Sequence, residues 1–430
     1  MKKFLVVVLA IMLTGFAYGQ REETYNLLWK IERKGLKKAS YLFGTIHIND
    51  ERAFAFSDSV LVAFQQADIL ALEVSNDDYV KYSLANRKKD SKNELKAQLG
   101  NDDYQVLRQK VMDESQVDID QLSNINPMLI EQLLNRKFTN AKEQRKLDLD
   151  NYLFYTAKRL GKEVVGLEKI GDGIRASKGF NTRFDQEYFV KRYIEKKDSL
   201  SGFDQGKILK EIMTKEFNTL VNLYYSGDIE TIAARYNSRQ QVLLDMIGRN
   251  KQMVGRLDSL MQNTSVFCAV GAGHLGGENG MIDMLKRRGY SLTPLKASFT
   301  GLSEKLQKEF ESAPGFLFED LLNGFSVKMS GAPTDIDIPN SNVKAFMYQD
   351  IGNNSIEMVM TVDYPEIFID REAVIDQMID NLKRMQRFEI LGSESLEKEG
   401  ISGRIVSMGK DSVEMGRLKS ILKNGKAYLF

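Results

Sequence analysis

The sequence has little of what usually announces a chemistry. One cysteine, Cys268, stands in the whole chain. An intramolecular disulfide and a zinc site built on two or more cysteines of one chain are therefore excluded. Cys268 lies in the apolar run Val266-Phe267-Cys268-Ala269-Val270, which predicts a buried core thiol rather than a nucleophile. Histidine is nearly as scarce: His47 and His274 are the only two, so any imidazole chemistry passes through them. An excess of one charge is missing too. The 60 Lys and Arg balance 59 Asp and Glu, for a net charge of +1, and no grip on nucleic acid is expected. No Walker A, Gly-x-Ser-x-Gly or His-Glu-x-x-His pattern occurs, which removes three common routes to phosphate binding and hydrolysis. There is no internal repeat, heptad array or low-complexity tract.

What is present describes a globular protein of more than one domain. The chain has 430 residues, 43% of them hydrophobic and 28% charged, enough apolar material for real cores. Its first residues stand apart. Lys2 and Lys3 precede an apolar run from Phe4 to Phe16, and Ala17-Tyr18-Gly19 then places small residues before Gln20. Residues 1–19 read as a secretory signal peptide, because the run falls well short of the ~20 apolar residues of a membrane span. The expected location is secreted or periplasmic, with no transmembrane span after cleavage.

Strand-like runs over 27–31 and 41–47, joined by the polar turn at 33–38, predict a hairpin. A helix is expected over 56–67, then a short apolar strand at 69–74 carrying one carboxylate, Glu73. Residues 77–147 look helical and solvated, with a charged patch over 86–92. A helix over 151–160 closes on Gly161, and strand 163–168 ends in Glu168. The pattern is helical from about 184 to 261, with a break at Gly227-Asp228. Strand 265–270 runs into Gly271-Ala272-Gly273-His274, a helix follows over 278–288, and strand 290–295 closes the unit. Beyond the turns at Pro314-Gly315 and Asn323-Gly324, alternating runs and an amphipathic helix at 371–386 predict a smaller domain. The expected fold is α/β, a central sheet with helical insertions over 20–300, plus an α+β domain with mostly antiparallel strands over 314–430.

His47, Glu73, Glu168 and His274 all fall at the carboxyl ends of short apolar strands. In open α/β sheets that edge forms the ligand crevice, so parallel strands would bring the four together. Both histidines also follow a glycine by three residues: Gly44-Thr45-Ile46-His47 and Gly271-Ala272-Gly273-His274. With Gly near 7% of residues this arises by chance about once in 200, which favours a shared site over two unrelated core histidines. Two imidazoles and one or two carboxylates suffice for a divalent metal or for acid–base work. Glu73 without a partner would be costly to bury, unless it faces solvent on an edge strand. Glu168, beside Lys169, reads equally well as part of a solvated turn. Glu278 reads better as a carboxylate in the first turn of its helix than as a partner of His274. Gly271-x-Gly273-x-x-Gly276 is formally a dinucleotide fingerprint, but the strand after it ends in Pro294-Leu295-Lys296, with no acidic residue for a ribose.

The two Gly-x-x-His motifs, Ala71-Leu72-Glu73, Val165-Gly166-Leu167-Glu168, Arg249-Asn250, and the run from Gly271 to Gly280 with Arg288-Gly289-Tyr290 together resemble the TraB/GumN family over about residues 25–296. That family includes the animal Tiki proteins, membrane-tethered metal-dependent proteases. It is distantly similar to erythromycin esterases and haem-binding proteins. The resemblance implies that His47 and His274 are metal ligands or catalytic, with Glu73 as partner carboxylate and Glu168 as a further candidate ligand. Arg249 and Asn250 match a family pair. The reading is thus a metal-dependent hydrolase, peptidase-like, whose divalent metal and peptide or small-molecule substrate are unidentified. The alternative is a non-catalytic binder of haem or metal. The C-terminal domain lies outside the resemblance and is a candidate for binding a partner.

Overall fold

The structure, a computed structural model, describes residues 27–85, 96, 99–115, 118–121, 145–170, 205–236, 240–338, 341–350, 353, 355–363, 370–386, 388–398, 401–410 and 412–430. The signal-peptide reading of 1–19, the charged patch at 86–92 and the helical reading of 184–204 lie outside these residues.

Six strands form the first sheet: β1 (Leu28–Glu32), β2 (Ser40–Thr45), β3 (Ile69–Leu72), β4 (Glu163–Gly166), β5 (Val266–Gly271) and β6 (Ser291–Pro294). Their order is β4-β3-β5-β2-β1-β6. The expected hairpin is there, β1 pairing antiparallel with β2. β2, β5, β3 and β4 are mutually parallel. Every residue of β3 is buried, and all but the last of β5, which is why both read as unbroken apolar runs: helices cover both faces of a parallel sheet.

The helices are α1 (Asp58–Gln66), α2 (Asn76–Ala85), α3 (Asn101–Ser115), α4 (Leu149–Arg159), α5 (Gln205–Ser226), α6 (Ile229–Tyr236), α7 (Gln240–Met261), α8 (Met281–Arg287) and α9 (Leu302–Glu311). Phe43 of β2 packs against Phe267 of β5, which meets Phe64 of α1 edge-on, and Phe64 in turn meets Phe310 of α9. Gly161, at φ +70°, closes α4 as expected and also lets Phe316 approach to where a side chain would sit. One expected boundary moves. α8 begins at Met281, not Glu278, because Gly276, Gly277 and Gly280 fold into a tight loop first. A side chain on Gly280 would stand 2.2 Å from the Gly276 carbonyl. Glu278 therefore precedes the helix and carries neither of the roles considered for it. Among the described residues no helix is long and apolar enough to cross a membrane.

The second half opens with a hairpin, β7 (Phe316–Asp320) and β8 (Phe325–Met329), turning at Asn323-Gly324. Seven antiparallel strands follow: β9 (Thr334–Asp337), β10 (Val343–Asp350), β11 (Ser355–Asp363), β12 (Glu389–Lys398), β13 (Ile401–Lys410), β14 (Val413–Lys423) and β15 (Lys426–Leu429). Their order is β12-β13-β14-β15-β11-β10-β9. Helix α10 (Arg371–Gln386) lies on β13 and β14, burying Ile375 and Ile379 against Val406, Leu418 and Leu422. The two halves touch through an aromatic pair and a hydrogen bond: Tyr155 meets Tyr348 edge-on at 6.1 Å, and Lys158, paired with Asp77 in its own half, donates to the Thr334 hydroxyl.

Asp58 ties α1 to α9. Its carboxylate accepts hydrogen bonds from the Thr300 and Ser303 amides and the Thr300 hydroxyl, each at 2.9 Å. Burial alone would raise its pKa, but these donors outweigh that and lower it. The linkage has a definite sign: a depressed carboxyl contributes stability above the unfolded value, about 3.9, and loses it as pH falls through the folded one. Asp58→Asn should lower the melting temperature at pH 7, and the gap from wild type should narrow below about pH 4. Melts at pH 7, 5 and 3.5 test this; a gap unchanged with pH would contradict it.

Candidate active site

The four parallel strands end side by side, and each delivers one of the expected residues to the same edge. Glu73 is the first residue after β3 and Glu168 the second after β4. Their backbones continue the strand pairing past the regular ladder: the Leu167 amide donates to Leu72 O and the Glu168 amide to Glu73 O, each at 2.8 Å. His47 lies two residues beyond β2. After β5, residues Ala272–His274 make a single 3-10 turn that keeps His274 at the sheet edge. The edge-strand alternative for Glu73 does not hold, since β3 lies between β4 and β5.

Glu73 is the centre. Its Oε1 accepts the Gly271 amide at 2.7 Å and stands 3.5 Å from His274 Nε2 and 3.8 Å from His47 Nε2. Its Oε2 accepts from Arg249 at 2.6 Å. Burial would raise this carboxyl, but His274, His47 and Arg249 more than offset it and hold its pKa well below the usual range. Arg249 spends its Nε on Glu168 Oε1 at 2.8 Å. Glu168 is thus buried rather than part of a solvated turn, and Arg249 links it to Glu73. Opposing effects act on Arg249 too: burial lowers its pKa, and the two carboxylates raise it further.

Each imidazole is oriented from behind. His274 Nδ1 lies 2.6 Å from Asn250 Oδ1, while Asn250 Nδ2 donates to Asn279 O at 2.8 Å. The amide therefore offers its oxygen to the ring, His274 Nδ1 is the donor, and Nε2 faces Glu73. His47 Nδ1 lies 2.7 Å from Asp150 Oδ2, and Asp150 Oδ1 accepts the Thr45 hydroxyl at 2.7 Å. The protein around the His47 ring disfavours its charged form, but Asp150, and then Glu73, outweigh this and raise its pKa well above the ordinary value. The two rings differ in access: the His47 side chain is 61% exposed and that of His274 only 6%.

The glycines of the two motifs act as spacers. A methyl group on Gly271 would come within 3.1 Å of Glu73 Oε1 and 3.5 Å of His47 Nε2, and one on Gly44 within 3.2 Å of Ala272. Over the cluster opens a cavity of about 390 Å³, lined by His47, Glu73, Arg249 and His274 at the sheet edge and by residues of α5, α6 and α7. Cys268 is fully buried in β5, and burial pushes its thiol pKa up.

Asp150 was not legible in the sequence. It follows the N-cap Asp148 by two residues and looks like an ordinary acidic residue opening a helix. Only its distance to a ring 103 positions earlier marks it. Asn250 was legible through the resemblance, without a role.

The donor atoms suit a divalent cation in kind: two imidazole Nε2 and one carboxylate oxygen, with both Nδ1 atoms held by oxygen partners as metal-binding histidines usually are. Two ligands about 2.0–2.1 Å from a tetrahedral zinc stand about 3.3 Å apart, close to the 3.5 and 3.8 Å measured from Glu73. The enclosure is not closed, however: among the described residues no group of three or more His, Cys, Asp or Glu side chains is placed to hold an ion by itself.

The profile of the TraB/PrgY/gumN family matches residues 27–294. Among curated proteins, Metalloprotease TIKI1 of Xenopus tropicalis is 25% identical over 417 residues, covering 84% of this chain and 76% of that protein. Metalloprotease TIKI2 of Danio rerio is 24% identical over 338 residues, covering 63% of this chain and 61% of that protein. Metalloprotease TIKI1 of Homo sapiens is 24% identical over 328 residues, covering 64% and 62%. The chain thus spans about three-fifths of the fish and human proteins. No solved structure matches.

Arg249 neutralises two carboxylates, and its removal leaves both short of a cation. Arg249→Leu should destabilise the protein by about 3 kcal/mol, measured by urea unfolding. Adding Glu168→Gln should recover part of that loss. A cost below about 1 kcal/mol for Arg249→Leu, the range of a surface pair, would show that the bridge is dispensable.

Proposed function

Since the chain belongs to the TraB/PrgY/gumN family, we propose that it is an exported, metal-dependent hydrolase acting on peptide bonds. The observation that carries this reading is the convergence of His47 Nε2 and His274 Nε2 on one oxygen of Glu73, inside a cavity at the carboxyl edge of a parallel sheet. The names of the TIKI metalloproteases support the reaction class. The basic, apolar and small-residue pattern of residues 1–19 supports export.

His47, His274 and Glu73 would hold the cation, which when bound supplies Lewis-acid polarisation of the scissile carbonyl. Glu168 acts behind them, fixing Arg249 and through it Glu73. Asn250 and Asp150 keep both imidazoles turned so that Nε2 faces the reacting groups. His47 carries the more exposed of the two rings, so the side of the cation that it would hold faces the open cavity. Gly271 donates to Glu73 and keeps the space between the three side chains clear.

The second reading, a binder of haem or metal without catalysis, uses the same imidazoles. The observation in its favour is that both imidazoles line one cavity of about 390 Å³.

Titration of the purified chain with zinc, cobalt or manganese should give one tight equivalent. His47→Ala and His274→Ala should weaken it by more than the 10–100-fold that loss of an outer partner gives. The metal-loaded protein should cleave a peptide mixture followed by mass spectrometry. Full occupancy in the double variant would end the metal reading. Tight metal with no cleavage of any peptide would favour the binder.

A further inference from the structure

The cavity over the cluster is chemically divided. Its charged lining residues, His47, Glu73, Arg249 and His274, gather at the sheet edge and are engaged with one another or with Asp150, Asn250 and Glu168. The helices supply an apolar part of the lining. Leu220 and Tyr224 come from α5, Ile232 from α6 and Met246 from α7. Tyr224 does not break the apolar character of this wall, because its hydroxyl is turned away to donate to Gly44 O at 3.0 Å. Among the described residues, Arg249 is the one charged side chain that these helices bring to the lining, and its guanidinium is taken by two carboxylates.

We propose that this wall is a specificity pocket, and that it takes a large apolar amino-acid side chain, of the Leu, Met or Phe kind, next to the bond that is cleaved. The inference rests on the hydrolase reading and names its substrate class. A charged side chain seated against Leu220, Ile232 and Met246 would lose its water and find no partner, whereas an apolar one gains by burial. At about 390 Å³ the cavity falls within the ~300–1,000 Å³ range of small-ligand sites, room for one such side chain with its flanking backbone. Met246, unbranched and adaptable, lets the pocket accept several apolar shapes and not one alone.

The test uses the full chain, metal-loaded, and a set of peptides that differ only at the position beside the scissile bond. The kcat/KM for Leu, Met or Phe should exceed that for Asp or Lys by about 100-fold. Leu220→Glu should lower cleavage of the Leu peptide by about 10-fold or more and improve the Lys peptide. Met246→Trp should move the preference from Phe towards Ala; circular dichroism and melting confirm that each variant is folded. Cleavage that ignores this position, or that favours a charged residue, would overturn the pocket while leaving the hydrolase intact. If no peptide is cleaved, the hydrolase reading fails, and the pocket is decided by binding. Titrations with N-acetyl-leucinamide and N-acetyl-aspartamide followed by NMR should then show shifts with the leucine compound alone. Those shifts should be lost in Met246→Trp. No shifts, or equal shifts with both compounds, would overturn it.

Discussion

A carboxylate taken almost wholly out of water governs the architecture of this site. Glu73 sits just past a four-residue strand whose every side chain is buried, where an unpaired charge would shed its proton-free form before it would tolerate the surroundings. It stays ionised because an amide, a guanidinium and two imidazoles come to it from three other parts of the chain. Arg249 needs Glu168 as well as Glu73; His274 needs Asn250; His47 needs Asp150. Each contact answers a polar group that the preceding one would leave unsatisfied.

The glycines belong to the same constraint. The two Gly-x-x-His motifs run on neighbouring parallel strands, with Gly44 opposite Val270 and Thr45 opposite Gly271. The imidazoles can approach one oxygen only because no side chain intervenes at Gly271, and the 3-10 turn that carries His274 can lie against β2 only because Gly44 leaves it room. Helix α4 adds a longer-range link. Its first turn carries Asp150 to His47, and its last turn carries Lys158 to Asp77 and to Thr334 of the C-terminal sheet. The second domain thus braces the helix that orients the exposed imidazole.

Much of this was legible in the sequence, and the part that was not has physical reasons. Apolar runs of four to six residues ending in Glu73, Glu168, His47 and His274 mark strands whose termini share an edge, because parallel strands leave little choice of which end the loops occupy. The scarcity of histidine made the pair conspicuous. Pairwise partners were harder. Glu168 beside Lys169 looks like a solvated turn, and nothing local shows that it is Arg249, 81 positions away, that occupies it. Asp150 is hidden by Asp148, which caps the same helix and makes an acidic opening look ordinary. Glu278 misled for the opposite reason: a carboxylate after a glycine-rich turn looks like the start of a helix, but three glycines delay that start to Met281.

The order of strands also sets the timing of assembly. β5 fills the gap between β2 and β3, yet Gly271, whose amide completes Glu73, is separated from it by 198 positions. A chain emerging from the ribosome presents β2 and β3 long before the strand that must lie between them has been made, and closing so long a loop carries an entropic penalty that only the finished sheet repays. Through most of synthesis His47 and Glu73 have no His274, no Arg249 and no Gly271 to meet. The cluster is therefore incomplete until β5 has been made and has entered the sheet between β2 and β3.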